Sequence, residues 1–154
     1  MIDVEIEAAA WTAALADAEA LTRAVAEAVL AEERLTDRNL VVLLTDDEAV
    51  RALNAQFRDK DKPTNVLSFP APPNPEQHLG DVALAYETCA REAAEQGKPL
   101  AHHLQHLVAH GVLHLLGYDH MTDEEAADME GLERVVLARL GIPDPYAAGE
   151  GDHD

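Results

Sequence analysis

Apolar and acidic residues alternate over Ile2–Ile6, which is the period of a strand covered on one face. From Ala13 to Glu33 the apolar positions recur near every 3.6 residues among Ala, Leu, Glu and Arg, predicting one long helix. NLVVLL (Asn39–Leu44) is a continuous apolar run, as in a strand buried on both faces. Thr45-Asp46-Asp47-Glu48 then offers a capping box, Thr45 capping and Glu48 answering three residues on, for a helix to about Phe57. A polar loop, RDKDKPT, leads to a short strand, NVLSF. The Pro-rich loop PAPPNPEQH follows, and Leu79–Tyr86 reads as a further strand. Helices are expected over Glu87–Gln96, Leu100–Leu116 and Thr122–Leu140, the first two separated by the stop-and-restart signal Gly97-Lys98-Pro99. Strands and helices that interleave in this way predict an α+β fold with α/β-type layers. Its small, mixed, mostly parallel sheet should have about four strands, with about five helices around it.

Composition narrows the class. The 154 residues suit one domain, expected over 1–143, with a flexible acidic tail over 144–154. Hydrophobic residues are 47% and aromatics only 4%, so the core has to be built mainly from Ala, Leu and Val. The opening MIDVEIEAAAW has acids where a secretory leader needs bases and an apolar run. The single cysteine, Cys89, suits a reducing cytoplasm. In an Ala-rich helix it reads as a small buried residue rather than a nucleophile.

Pro99–Tyr118 contains no Asp, Glu, Lys or Arg and is long enough to span a bilayer. However, it carries His102, His103, His106, His110 and His114, too polar a set for lipid, so a buried helix lining a site is expected instead. The formal net charge of −19 excludes a broadly nucleic-acid-binding surface, because phosphate binding relies on Lys and Arg displacing counterions. No DNA partner is expected, and any RNA contact has to be local.

The chemistry concentrates in HGVLHLLGYDH, His110–His120. Residues four apart on a helix differ by about 40° around the axis and about 6 Å along it, so His110 and His114 share a face. Gly117 is placed to end the helix in the left-handed conformation, and the chain can then fold back to bring in His120. Three imidazoles leave one position open on a tetrahedral zinc, the catalytic rather than the structural arrangement. The metal site therefore sits on a C-terminal helix and the turn after it. Because His102, His106, His110 and His114 form a ladder, spacing alone leaves His106 as an alternative partner for His110. H-x3-H-x5-H with an intervening Gly also matches the metzincin protease pattern, except that Gly111 stands where those enzymes carry the Glu base. This undercuts peptidase chemistry.

The same segment resembles the signature of the YbeY family, bacterial metal-dependent endoribonucleases of ribosomal RNA maturation. Phe57-Arg58 followed by KPTNVLSFP (Lys62–Pro70), and LGDVALA (Leu79–Ala85), resemble that family's other two blocks, in the same order. Thr64-Asn65-Val66 stands where the family most often has Thr-Asp-Val, which weakens any role for an acid there. The resemblance implies one Zn2+ held by His110, His114 and His120, and a functional arginine at Arg58. It implies a single-strand-specific endoribonuclease acting on RNA, with roles in 16S rRNA 3′-end maturation and ribosome quality control, and ribosomal or small-subunit-associated proteins as partners.

Read from the residues alone, Arg58, Lys60 and Lys62 are three of only eleven bases and form either a local phosphate site or a solvated loop. Asp119 either orients a ligand histidine or acts on the water. Asp81 reads as a structural residue, by capping or by pairing. Two other functions compete with RNA cleavage: a divergent zincin-like peptidase or amidase, and a non-catalytic zinc-containing ribosome-associated factor.

Overall fold

The computed structural model describes residues 2–58, 64–119 and 121–146. Four strands, β1 (Ile2–Ile6), β2 (Asn39–Thr45), β3 (Val66–Pro70) and β4 (His78–Ala85), form one sheet in the order β1-β2-β4-β3. β1, β2 and β4 run parallel and β3 returns antiparallel along β4, leaving β3 at an edge. The expected mixed, mostly parallel sheet is thus present. β2, the apolar run of the sequence, lies between two parallel neighbours.

Strand alternation divides the core between the two faces. Leu40, Val42 and Leu44 of β2, with Val82 and Leu84 of β4, belong to the large core beneath the helices α2 (Ala18–Glu32) and α5 (Leu100–Leu115). Leu67, Ala83 and Ala85 point the other way, toward Val50 of α3 (Asp47–Arg58). Among the described residues Trp11 is the only tryptophan, and most of the core is Val, Leu and Ala, as the low aromatic content requires.

Two boundaries differ from expectation. The long helix expected over Ala13–Glu33 is two helices, α1 (Ala10–Ala14) and α2, with Leu15 in an extended conformation between them. The described chain therefore has six helices rather than five. Trp11 accounts for the break: it is fully buried, its indole N–H donates to the Thr45 carbonyl at 2.9 Å, and its ring meets Tyr86 edge-on. Anchoring this aromatic outweighs the helix propensity of the residues that follow it. At the start of α3, Thr45 is the last residue of β2, and the Asp46 carboxylate accepts the Ala49 N–H at 2.8 Å. The cap is therefore one residue later than the predicted box. A full capping box occurs instead at α6 (Asp123–Arg139), between Thr122 and Glu125.

α4 (Tyr86–Gln96) ends at Gly97, whose φ of 66° is left-handed, as the stop signal requires. Among the described residues no helix is long and apolar enough to cross a membrane. The uncharged stretch after Pro99 is α5, most of it buried within the core.

Candidate functional site

α5 is buried on most of its surface, and His106, His110 and His114 occupy its partly open stripe. Gly111 faces the sheet. A Cβ there would lie 2.6 Å from Val82 Cγ1 and 3.3 Å from Val66 Cγ2, so glycine is what lets helix and sheet approach this closely. Ser68 Oγ of β3 donates to the Gly111 carbonyl at 2.9 Å across the same contact. The position at which a metzincin carries its glutamate thus points into the packed sheet, with no room for a carboxylate.

The helix ends as predicted. Gly117 has φ 101°, its N–H donates to the His114 carbonyl, and the Tyr118 N–H reaches back to Leu113. That pair of bonds is a Schellman closure, which turns the chain across the end of α5. The rings of His110 and His114 are 4.7 Å apart and nearly perpendicular. Both line a cleft of about 570 Å³, walled by Thr64–Ser68 and Pro70 on one side and Gly117, Tyr118 and Asp119 on the other.

Behind His110 lies a buried carboxylate. Glu133 of α6 is fully buried, and its two oxygens are shared among three groups. Oε2 is 2.8 Å from His110 Nδ1, while Oε1 is 2.9 Å from His106 Nε2 and 2.5 Å from the Tyr146 hydroxyl. Burial alone would raise the Glu133 pKa. The hydrogen bonds and charge of His106 and His110 outweigh it and hold the carboxyl at about 2. Burial, with the Glu133 charge beside it, pushes the Tyr146 phenol upward. Glu133 is therefore ionised and can only accept, which makes Tyr146 and both imidazoles donors toward it. A second network lies one turn back along α5. Buried His103 contacts Glu92 at 2.9 Å through Nε2, and Asn65 donates to the same Glu92 oxygen at 3.0 Å. Asn65 therefore has a positive function: an aspartate there would face Glu92 as a like charge.

Of the residues singled out in the sequence, the structure brings His110, His114 and Asp119 to one cleft. Arg58 is the last residue of α3. Its side chain, together with Lys60, Lys62 and His120, lies outside what the structure describes. Among the described residues no three potential ligands group around a metal position, and His120 is not one of them. His102 is half-buried, whereas His103 and His106 take part in the two carboxylate networks. Asp81 pairs with His78 at 3.0 Å, the expected structural role. Cys89 is a buried core residue whose thiol pKa burial drives upward, which leaves it unsuited to nucleophilic attack.

Sequence reasoning missed Glu133. The signal was present: it is spaced i, i+4, i+7 and i+8 with the buried residues Met129, Val136 and Leu137, an acid on the core face of an otherwise acidic helix.

A sequence profile described as endoribonuclease YbeY matches residues 3–141. The curated endoribonuclease YbeY of Rhodopseudomonas palustris (strain ATCC BAA-98 / CGA009) is 54% identical over 152 residues, spanning 94% of this chain and 80% of that protein. The protein of the same name from Paramagnetospirillum magneticum is 54% identical over 155 residues, spanning 94% of each. Among solved structures, the solution structure of TM1509 from Thermotoga maritima superposes with a TM-score of 0.60 at 26% identity, covering 92% of both chains.

Proposed function

The chain belongs to the endoribonuclease YbeY family, and from that premise we propose that it is a zinc-dependent, single-strand-specific endoribonuclease. Its substrate is RNA, in 16S rRNA 3′-end maturation and ribosome quality control in the cytoplasm, with ribosomal or small-subunit-associated proteins as partners. The observation that carries the reading is the adjacency of His110 and His114 on one helix face, inside a cleft walled by β3.

The donor chemistry fits zinc. Neutral imidazoles are good zinc ligands, and a carboxylate on the far ring nitrogen is the usual support of a ligating histidine. Glu133 supplies that support to His110. His120, following the Schellman turn, would be the third ligand. When bound, zinc supplies a Lewis acid for water and for the phosphodiester. Arg58 meets charge that develops on the non-bridging phosphate oxygens, where a planar guanidinium can donate two parallel bonds. Asp119, exposed on the cleft wall, is placed to take a proton from the attacking water or to hold a ligand histidine. β3 and the turn after α5 confine the strand on either side. The cleft has no carboxylate after His110, because that position is Gly111 packed on Val82, and this disfavours zincin-type peptidase chemistry.

The test is cleavage of a defined single-stranded RNA by chelator-stripped and zinc-restored protein, with the same sequence annealed to its complement as control. Cleavage of the single strand alone, lost on stripping and regained with zinc, is the expected result. Cleavage indifferent to metal would overturn the zinc reading. Binding without cleavage in the zinc-loaded state would favour a non-catalytic RNA-associated factor.

A further inference from the structure

We propose that Glu133 selects which histidines of the α5 ladder ligate the metal. It does so by fixing the proton of His110 at Nδ1 and that of His106 at Nε2. The inference rests on the zinc reading above and deepens it.

The argument is one of proton accounting. An ionised carboxylate only accepts, so each imidazole nitrogen that contacts Glu133 carries a hydrogen. His110 meets Oε2 through Nδ1 at 2.8 Å, so in the neutral ring, the form that ligates zinc, the lone pair is on Nε2. His106 meets Oε1 through Nε2 at 2.9 Å, so its lone pair is on Nδ1, and Nδ1 is buried without a hydrogen-bond partner among the described residues. One carboxylate thus holds two histidines, four residues apart, in opposite tautomers. His110 is held through its inner nitrogen, Nδ1, and Nε2 is the nitrogen it would offer a metal. The outer nitrogen of His106 is occupied by its own proton and by Glu133, with Tyr146 3.1 Å away. The ring spacings agree, at 4.7 Å for His110–His114 and 6.5 Å for His106–His110. The ladder that is ambiguous by spacing is resolved by a side chain 23 residues further along the chain. Glu133 is a positioning residue: it touches neither metal nor RNA and acts through His110.

Zinc affinity, measured by chelator competition on the full chain, tests this together with the ring tautomers read by nitrogen NMR in the metal-free state. Glu133→Gln keeps the shape and removes the charge. It is expected to weaken zinc binding about 10-fold or more, the usual effect of losing such a partner, and to give His110 a mixed tautomer. Glu130→Gln removes the same charge from the same helix and is expected to leave affinity within about twofold, which separates direct positioning from the general field. Tight zinc in wild type with unchanged affinity in Glu133→Gln would overturn the inference and leave the zinc reading intact. Failure of the wild type to bind zinc would overturn both. If Glu133→Gln does not fold, the wild-type tautomers decide: Nδ1–H on His110 and Nε2–H on His106 support the assignment, and any other pairing overturns it.

Discussion

Ser68 Oγ donates to the carbonyl of Gly111 at 2.9 Å, joining the edge strand of the sheet to the helix that carries the paired histidines. The contact is close because residue 111 has no side chain. Gly111→Ala would place a Cβ 2.6 Å from Val82 Cγ1, and β-branched Val82 is stiff and fully buried. Alanine gains about 1 kcal/mol of helix propensity over glycine, whereas overpacking costs about 1–3 kcal/mol. The net expectation is destabilisation with a displaced α5. Denaturant unfolding measures it, and an alanine variant more stable than wild type would contradict the packing argument.

The wild-type protein is expected to carry about one zinc per chain, and His114→Ala to lose most of it. Elemental analysis after gel filtration provides the check. A variant still loaded one-to-one would mean that His114 is not a ligand.

Arg58→Ala separates chemistry from scaffolding. If the guanidinium meets charge that appears only in the transition state, cleavage falls about 10²-fold or more while zinc content and melting temperature hold. Lysine at this position should restore only part of the rate, because an ammonium lacks the planar fork. His110→Ala should differ by losing metal, and stability with it. An Arg58→Ala protein that folds, keeps its zinc and cleaves normally would remove the arginine from the mechanism.

For a protein of net charge −19, RNA binding should be weak and its salt dependence shallow. Neutralising Lys60 and Lys62 together should make the slope of log K against log salt shallower still. On a single strand the change is up to about 0.7 for each phosphate that no longer meets a lysine. A slope identical to wild type would put the RNA path away from these two lysines.

Acid should destabilise the metal-free protein through the Glu92–His103 pair. Burial lowers the His103 pKa. The Glu92 bond and charge oppose this, and Lys98 and His106 add to it. The unfolded chain takes up that proton near pH 6.5 and the folded chain resists, so stability falls as pH drops through this value. Burial would raise the Glu92 pKa, but the hydrogen bonds from His103 and Asn65 bring it below 4.5, so its contribution is present above 4.5 and lost on further acidification. His103→Gln should flatten the upper part of a plot of melting temperature against pH. A plot superimposable on wild type above pH 5 would show that His103 does not set it.

Much of the site was legible because its signals are local. The spacing of His110 and His114, the glycine at 117 and the helix start at Thr122 each act within a few residues, and each appears in the structure as read. What spacing left open was which neighbour accompanies His110. That choice depends on Glu133, which reaches across from a helix distant in sequence. The break after α1 was hidden for a related reason: propensity favours a continuous helix, and the buried bond from Trp11 to Thr45, 34 residues away, interrupts it. In the sequence Asn65 reads only as the absence of a family acid, and its bond to Glu92 gives it a purpose.

The buried carboxylate also sets an order of events for a chain made from its N-terminus. When α5 has emerged and α6 has not, His106 and His110 lack their shared acceptor, and α5 still awaits the helix that packs against it. Synthesis adds about 5–20 residues per second, so the interval is a matter of seconds, with Tyr146 last to reach the network. The nascent protein therefore carries its pair of imidazoles before it has the means to orient them. The orientation of His110 is deferred until the helix that carries Glu133 has been made.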